Sequence, residues 1–470
     1  MGQKTSFEWI NMKGLDYFFF PKKVAVIGAS EKANKIGNVI MKNMIKAGFK
    51  GKLIPVNPKT KKILGKKCVK TVKEINNLDL AVIAVPAKIV PKIIRECGQA
   101  KTKAVIIVSA GFNEVGNMTV TKELFKAMQE FPDMRVLGPN CLGILHVKKG
   151  IDTLFLPYER LGRTPHGRIS FASQSGAVGS TLIDWASMKS YGINKFISFG
   201  NALDVNVTEL LEYLNKDKET KVICLYIEGL EEGRKLLKTG KKVSKNTPIV
   251  VLKGGVTEAG KTAAVSHTGS IAGEARVVKA AFKQSHMVEA KSFEQLFNFA
   301  RVLSNEPLTK GKKVQIITDG GGYAVLAADA LIENGLELAL MEKKNLNSLK
   351  KIVPVFAELK NVIDLTGDAT TEMYKKATEL ALKDKNIDMI LLIVLFPPPL
   401  LDKNIVYEII KLHKKQIKPI IVVSASGNYT ESQKKIMEKQ FVPTFTFPKD
   451  AAESLKALYD YSLFRGKVKR

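Results

Sequence analysis

An α/β protein built on parallel, doubly wound sheets is the fold class this sequence predicts, and three observations predict it. Short apolar runs alternate with helical patterns along the chain. Each run closes on Gly, Pro, Asn or Ser, the residues of strand-to-helix turns. Three such openings, near Gly28, Gly176 and Gly321, share a strand, Gly-rich loop and helix, without being convincing sequence repeats. At 470 residues the chain exceeds one ordinary domain, and about two to four are expected.

The first unit opens with Lys23–Ser30, KVAVIGAS, followed by a helical stretch containing Gly37. Its next strands are Lys52–Val56, before Asn57-Pro58-Lys59; Leu80–Val85, closed by Pro86; and Ala104–Val108, closed by Ser109-Ala110-Gly111. Helical patterns such as Val90–Ala100 lie between them. Ligands of such sheets sit beyond the carboxyl ends of the strands, where these turn residues fall. The first turn reads G-A-S-x6-G and departs from the G-x-G-x-x-G of NAD sites. The second strand lacks the acidic residue that binds the NAD ribose; Lys59, Lys61 and Lys62 suit a phosphorylated ribose instead. NADP and coenzyme A both carry one, and glycines that merely make tight turns are the plain alternative. Arg135–Leu145 ends the unit, with Cys141 beside Asn140. A cysteine there could lie near a thioester, though a buried structural cysteine is the commoner outcome.

Val147–Arg168, with three glycines and two prolines and little periodicity, reads as the crossing into a second unit. That unit starts with the strand Arg168–Ala172 and breaks at Ser173-Gln174-Ser175-Gly176 before the helix Ala177–Lys189. Two serines and a glycine delivered to a helix N-terminus make a phosphate cradle. An ordinary Ser-capped helix is the alternative. The hydrolase elbow G-x-S-x-G fails, because Ser173 stands two residues before Ser175. Further strands are Phe196–Phe199, before Gly200-Asn201 and the helix Val207–Asn215, and Val222–Ile227, which ends at Glu228-Gly229. Glu228 suits the orientation of an imidazole, or equally the neighbourhood of the next helix N-terminus. The strand Pro248–Leu252 then leads to Lys261–Gly273, KTAAVSHTGSIAG, and the helix Ser270–Ser285. His267, among Ser266, Thr268 and Gly269, has room for an anion that the helix dipole would favour; it reads as a residue acting on phosphate, or as a capping or surface histidine. The serine cradle, Glu228 and His267 fall at strand and helix ends that one sheet brings together.

Ser304–Lys313 reads as a linker. A third unit follows: the strand Lys313–Thr318, Asp319-Gly320-Gly321-Gly322, the helix Tyr323–Glu333, the strands Met389–Phe396 and Pro419–Ser424, a turn at Ser426-Gly427-Asn428, and a helical tail, Asp450–Phe464.

Composition limits the function classes. The net charge of +29 comes from 74 Lys+Arg against 45 Asp+Glu. Only ten of those basic residues are arginine, so 74 − 10 leaves 64 lysines. They are scattered in pairs, without a basic stripe or interleaved aromatics, so solvated faces are expected rather than nucleic-acid binding. The four cysteines, Cys68, Cys97, Cys141 and Cys224, form no C-x-x-C pair, which points away from metal sites and disulfides and toward a cytoplasmic protein. No signal peptide or membrane span is read: Tyr17–Phe20 is short, and Met389–Phe396 stops at three prolines.

Ten segments occur in the order of a known family: VAVIGAS, VNP, AVP, SAGFNEVG, GPNCLGI, SQSGAVG, SFGNALDVN, YIEG, AAVSHTGSIAG and TDGGGYAVLAADAL. On these the chain closely resembles the α subunit of ADP-forming acyl-CoA synthetases, the ADP-forming acetate–CoA ligases in particular, which are relatives of succinyl-CoA synthetase. The resemblance covers nearly the whole chain. It implies a CoA-binding Rossmann-like domain over residues 1–147, a flavodoxin-like domain carrying the phosphate site and histidine loop over 148–304, and a second flavodoxin-like domain over 305–470. It implies that acyl-CoA and phosphate give an acyl phosphate, that His267, supported by Glu228, takes the phosphoryl group to ADP, and that Ser173, Gln174, Ser175 and Gly176 hold the phosphate. CoA contacts carry over to Gly28, Ala29, Ser30, Lys35, Asn57, Pro58, Lys59, Val85, Pro86, Ser109 and Gly111, with Asn140 and Cys141 at the thioester end. The family's ATP-grasp part is not read here, so a separate ATP-grasp β subunit, in an α/β heterotetramer, is expected to hold most of the Mg-ADP/ATP site. Asn206, where aspartate is more usual, and the bulky Tyr323 depart from the pattern. A CoA-binding regulatory module without turnover and an NADP-dependent oxidoreductase are the competing readings. The intact His267, Glu228 and SQSG set argues against the first, and the first-turn pattern against the second.

Overall fold

The computed structural model describes residues 14–229, 232–260, 262, 275–360, 362–425 and 427–468. His267 with most of its loop, and Ser426, lie outside the described residues. The chain divides into two units, one of Met1–Met188, Ile193–Thr247 and Lys253–Ser285, the other of Lys189–Gly192, Pro248–Leu252 and His286–Arg470.

The first unit begins with five parallel strands, β1 (Lys23–Ile27), β2 (Lys52–Val56), β3 (Leu80–Ile83), β4 (Ala104–Ile107) and β5 (Arg135–Leu137), in the order β2-β1-β3-β4-β5. Continuous burial of Val24–Ile27, Leu80–Ile83 and Ala104–Ile107 is what a parallel sheet covered on both faces demands. Helices α1 (Ile36–Lys46), α2 (Val90–Gln99) and α3 (Met118–Gln129) supply that cover, with Ile94, Cys97, Leu124 and Ala127 in the core. The strand order reverses between β1 and β3, which puts the crevice of this sheet at Gly28 and Ala84.

A second sheet in the same unit has the order β10-β8-β9-β6-β7, built from β6 (Ile144–His146), β7 (Ile151–Asp152), β8 (His166–Ser173), β9 (Ile193–Ser198) and β10 (Val222–Ile227). Here the crossing differs from its reading as irregular chain. Near its start lies β7, which pairs with β6 just before it, and its last residues open β8; β6 in turn runs antiparallel to β9, pairing Leu145 with Phe196. Three- and two-residue strands are too short to show a period, so the pattern hid them. Helices α4 (Gly176–Met188), α5 (Val207–Lys216) and α6 (Gly233–Ser244) follow their strands. Asn206 caps α5, accepting from the N–H groups of Thr208 and Glu209 at 3.0 and 3.2 Å. Asn and Asp cap equally well, so the departure at this position keeps the helix start intact.

In the second unit, the parallel pair β11 (Ile249–Lys253) and β12 (Val288–Ala290) precedes α7 (Phe293–Asn305). A seven-stranded sheet follows: β13 (Lys313–Thr318), β14 (Glu337–Leu338), β15 (Glu358–Leu359), β16 (Ile363–Asp364), β17 (Met389–Ile393), β18 (Ile420–Val423) and β19 (Thr444–Phe445). Its order is β15-β16-β13-β17-β18-β19 with β14 beside β13, all parallel except β15. Ser304–Lys313 is no free linker. Glu306 is buried, taking hydrogen bonds from the Ile420 N–H at 2.8 Å and sharing one with His413 Nε2 at 2.8 Å. Among the described residues no helix is long and apolar enough to cross a membrane.

Candidate active site

A cleft of about 750 Å³ lies at the carboxyl ends of β1, β3 and β4, within the size range of ligand sites. The structure brings Gly28, Ala29, Ser30, Lys35, Asn57, Lys59, Val85, Pro86 and Ser109 together as its lining. Only glycine fits at Gly28: φ is +89°, and a Cβ would stand 2.3 Å from the Ala84 carbonyl oxygen. Gly37 lets α1 close on this turn, since a Cβ there would meet the Gly28 carbonyl at 2.2 Å. Polar side chains brace the walls. Asn57 Nδ2 donates to the Ala29 carbonyl at 2.7 Å while its Oδ1 accepts from the Lys59 N–H at 2.8 Å. Ser109 Oγ donates to the Val85 carbonyl at 2.6 Å. Lys35, Pro58 and Lys59 are exposed, the two ammonium groups standing where an anionic ligand would meet them. Gly111 lies just beyond the lining residues, with its N–H already given to Glu114 Oε1 at 2.6 Å.

Beside the cleft, the turn after β5 carries Asn140 and Cys141. Asn140 has a left-handed backbone, φ +55°, and its N–H donates to the Ser109 carbonyl at 2.9 Å. Its side chain donates to Asn201 Oδ1 at 3.3 Å, and Asn201 Nδ2 donates to Asn113 Oδ1 and Glu114 Oε2, both at 2.6 Å. Burial alone would raise the Glu114 carboxyl; hydrogen bonds from Gly111, Asn201 and Phe112 outweigh it and hold the group below the usual carboxylate range. The reading of the sequence did not single out this clasp of Asn113, Glu114 and Asn201. SAGFNEVG and SFGNALDVN contain all three, but nothing local marks residues 87 positions apart as partners. Cys141 is buried under the turn, its Sγ 3.3 Å from the Ile107 carbonyl, and burial pushes its thiol up to about 12.

The second cluster sits at the ends of β8 and β10. Ser173 is buried and donates to the Ser175 carbonyl at 2.7 Å. Ser175 caps α4, accepting from the Val178 N–H at 3.4 Å, and Gly176 opens the helix. Gln174 joins the two strand ends: its Oε1 accepts from the N–H groups of Glu228 and Gly229 at 2.8 and 3.2 Å. Glu228 is 8% exposed. Its Oε1 accepts from Tyr226 at 3.1 Å, and among the described residues Oε2 has no hydrogen-bond partner. Glu228 serves no helix start, since α6 begins after Glu232. Burial first, and the Glu228 charge second, push the Tyr226 hydroxyl up. Lys253 Nζ donates to the Glu228 carbonyl at 2.6 Å, bringing a buried cation to the same corner. The first N–H groups of a helix have no intrahelical partner, so the start of α4 offers donors and a positive dipole end to an anion. The open lone pair of Glu228 is an acceptor for an N–H group.

Three family models match the chain: a CoA binding domain at residues 22–147, a succinyl-CoA ligase like flavodoxin domain at 166–303 and a ligase-CoA domain at 314–462. The α subunit of ADP-forming acetate–CoA ligase II from Pyrococcus furiosus is 37% identical over 453 residues, covering 94% of this chain and 97% of that one. An ADP-forming acetate–CoA ligase from Methanocaldococcus jannaschii is 39% identical over 458 residues, and the chain spans 64% of its length. Among solved structures, the dinucleotide-forming acetyl-coenzyme A synthetase 1 of Ca. Korarchaeum cryptofilum in complex with phosphate and ADP superposes with a TM-score of 0.89 at 35% identity, covering 96% of this chain and 98% of that one.

Proposed function

This chain belongs to the family of ADP-forming acetate–CoA ligases, and from that premise we propose that it is the α subunit of an NDP-forming acyl-CoA synthetase. It converts acyl-CoA, phosphate and ADP to a carboxylic acid, CoA and ATP. CoA lies in the cleft at the ends of β1, β3 and β4. Gly28 permits the close backbone approach that a pyrophosphate needs, and Lys35 and Lys59 meet its phosphates. Asn140 and the turn over Cys141 face the thioester end.

Phosphate binds at the N-terminus of α4, among Ser173, Gln174, Ser175 and Gly176. Its oxygen attacks the thioester carbonyl, the C–S bond breaks, and CoA leaves as the thiol. His267 then attacks phosphorus in the acyl phosphate and releases the carboxylate. Glu228 holds the imidazole by accepting its other N–H, which keeps the attacking nitrogen unprotonated. The observation that carries this reading is the tie through Gln174, which puts the start of α4 beside a buried carboxylate with an open lone pair.

Relatives of the same length are named subunit alpha, which supports a partner subunit. We assign the ATP-grasp fold and most of the Mg-ADP site to that partner, with acetate or a similar small acid as product. The described cysteines are all free, which fits a reducing cytoplasm. Release of CoA thiol from acetyl-CoA, followed with a thiol reagent, tests the first step. Release that requires phosphate is expected. CoA binding with no phosphate-dependent release would point instead to a regulatory CoA-binding module.

A further inference from the structure

Three groups hold Glu228, each by a different atom. Its N–H donates to Gln174 Oε1 at 2.8 Å, its carbonyl accepts from Lys253 Nζ at 2.6 Å, and its Oε1 accepts from the Tyr226 hydroxyl at 3.1 Å. The first two fix the backbone at the end of β10. Among the described residues only the third acts on the carboxylate.

Strand geometry puts the hydroxyl there. Side chains two residues apart on a strand share a face, so Tyr226 and Glu228 point the same way from the end of β10. Tyr226 pairs in register with Ser173 of β8, and its carbonyl accepts from the Gln174 N–H at 3.0 Å, which sets the ring beside the serine cradle. Tyr226 is buried, and a buried phenol is costly unless it finds a hydrogen-bond partner. Phenylalanine would fill the same space without that cost. On the other side the hydroxyl meets Gly254, where a Cβ would stand 2.6 Å from the Tyr226 oxygen and 3.4 Å from Glu228 Cγ. Gly254 opens the segment that contains His267, so that segment starts directly against the Tyr226–Glu228 pair.

The terminal torsion of a glutamate is broad and close to two-fold, so a carboxylate without an anchor can turn or present either oxygen. We propose that Tyr226 is a positioning residue for phosphoryl transfer: by donating to Oε1 it fixes the Glu228 carboxylate with Oε2 presented to the imidazole N–H of His267. The inference rests on the proposed acyl-CoA synthetase reading and adds a residue to its machinery. Tyr226 acts through Glu228 alone. It keeps its proton throughout and takes part in no bond that forms or breaks.

The test uses the full chain with its partner subunit and follows labelled phosphohistidine from acetyl-CoA and labelled phosphate by rapid quench, with CoA affinity measured at equilibrium. Tyr226→Phe preserves the ring and removes only the donor. It should slow phosphohistidine formation about tenfold with CoA affinity unchanged, because a carboxylate that turns holds the imidazole in productive geometry for less of the time. The same substitution made on Glu228→Gln should change the remaining rate by less than about twofold, since the carboxylate through which Tyr226 acts is gone. That non-additivity is the readout a merely structural tyrosine would not give. A Tyr226→Phe rate within about twofold of wild type, or a loss of the same size in both backgrounds, would overturn the role of Tyr226 and leave the synthetase reading intact. Absence of phosphohistidine in the wild type with every acyl-CoA tried would remove both.

Discussion

At the ends of β1, β3 and β4, polar side chains are spent on the backbone: Asn57 holds Ala29, Ser109 holds Val85, and Glu114 holds Gly111. At the ends of β8 and β10, Glu228 is buried with one oxygen open among the described residues. The first region is finished as it stands. It offers a glycine-lined surface and two exposed lysines, which is what binding a large anionic ligand requires. The second is tied by Gln174, and among the described residues it leaves one buried acceptor unmet, which would cost about 1–3 kcal/mol if nothing else reached it. On the proposed reading, Glu228 organises a reacting partner, and such a group has to keep a lone pair available.

Substitutions should separate the two regions. Glu228→Gln is expected to have the largest effect, slowing phosphoryl transfer to the protein by about 10²–10³-fold with CoA affinity unchanged. Rapid-quench labelling and equilibrium CoA binding measure the two quantities, and equal losses in both would erase the distinction. Gly28→Ala should do the reverse of that pattern. It forces a Cβ against the Ala84 carbonyl at a positive φ and should cost about 2–4 kcal/mol in chemical denaturation, with CoA affinity falling before the chemistry. Lys35→Ala combined with Lys59→Ala should weaken CoA several-fold, and the difference from wild type should shrink as salt rises, because both ammonium groups are exposed.

The smallest effect concerns Glu114. Its carboxyl is held below the usual range by the hydrogen bonds that outweigh its burial, so the stabilisation is complete above the unfolded carboxylate value of about 4.3 and is lost as pH falls through the folded value. Denaturation of wild type and Glu114→Gln should converge on acidification from about pH 6 toward pH 3. Curves that stay parallel over that range would show that the clasp is not ionised.

Much of this fold was legible. β1, β2, β10 and β13 begin where their apolar runs begin, because strands buried on both faces must be continuously apolar. The cleft residues were legible for a related reason: Gly28 and Asn57 stand directly after strands and Ser109 one residue further on, where turn chemistry is local. The pairing of β6 with β9, the burial of Glu306 and the clasp of Asn140, Asn201 and Glu114 were not legible, since each depends on a partner far along the chain. The resemblance assigned Asn140 and Cys141 to one place, and the structure separates their surroundings. Asn140 faces polar partners, whereas Cys141 is packed beneath the turn.

The central claim is that His267 accepts a phosphoryl group beside Glu228. Incubation with acetyl-CoA and labelled phosphate, with the partner subunit present, tests it most directly. Acid-labile, base-stable label that disappears in His267→Ala is the predicted result. Label that persists in His267→Ala would contradict the account.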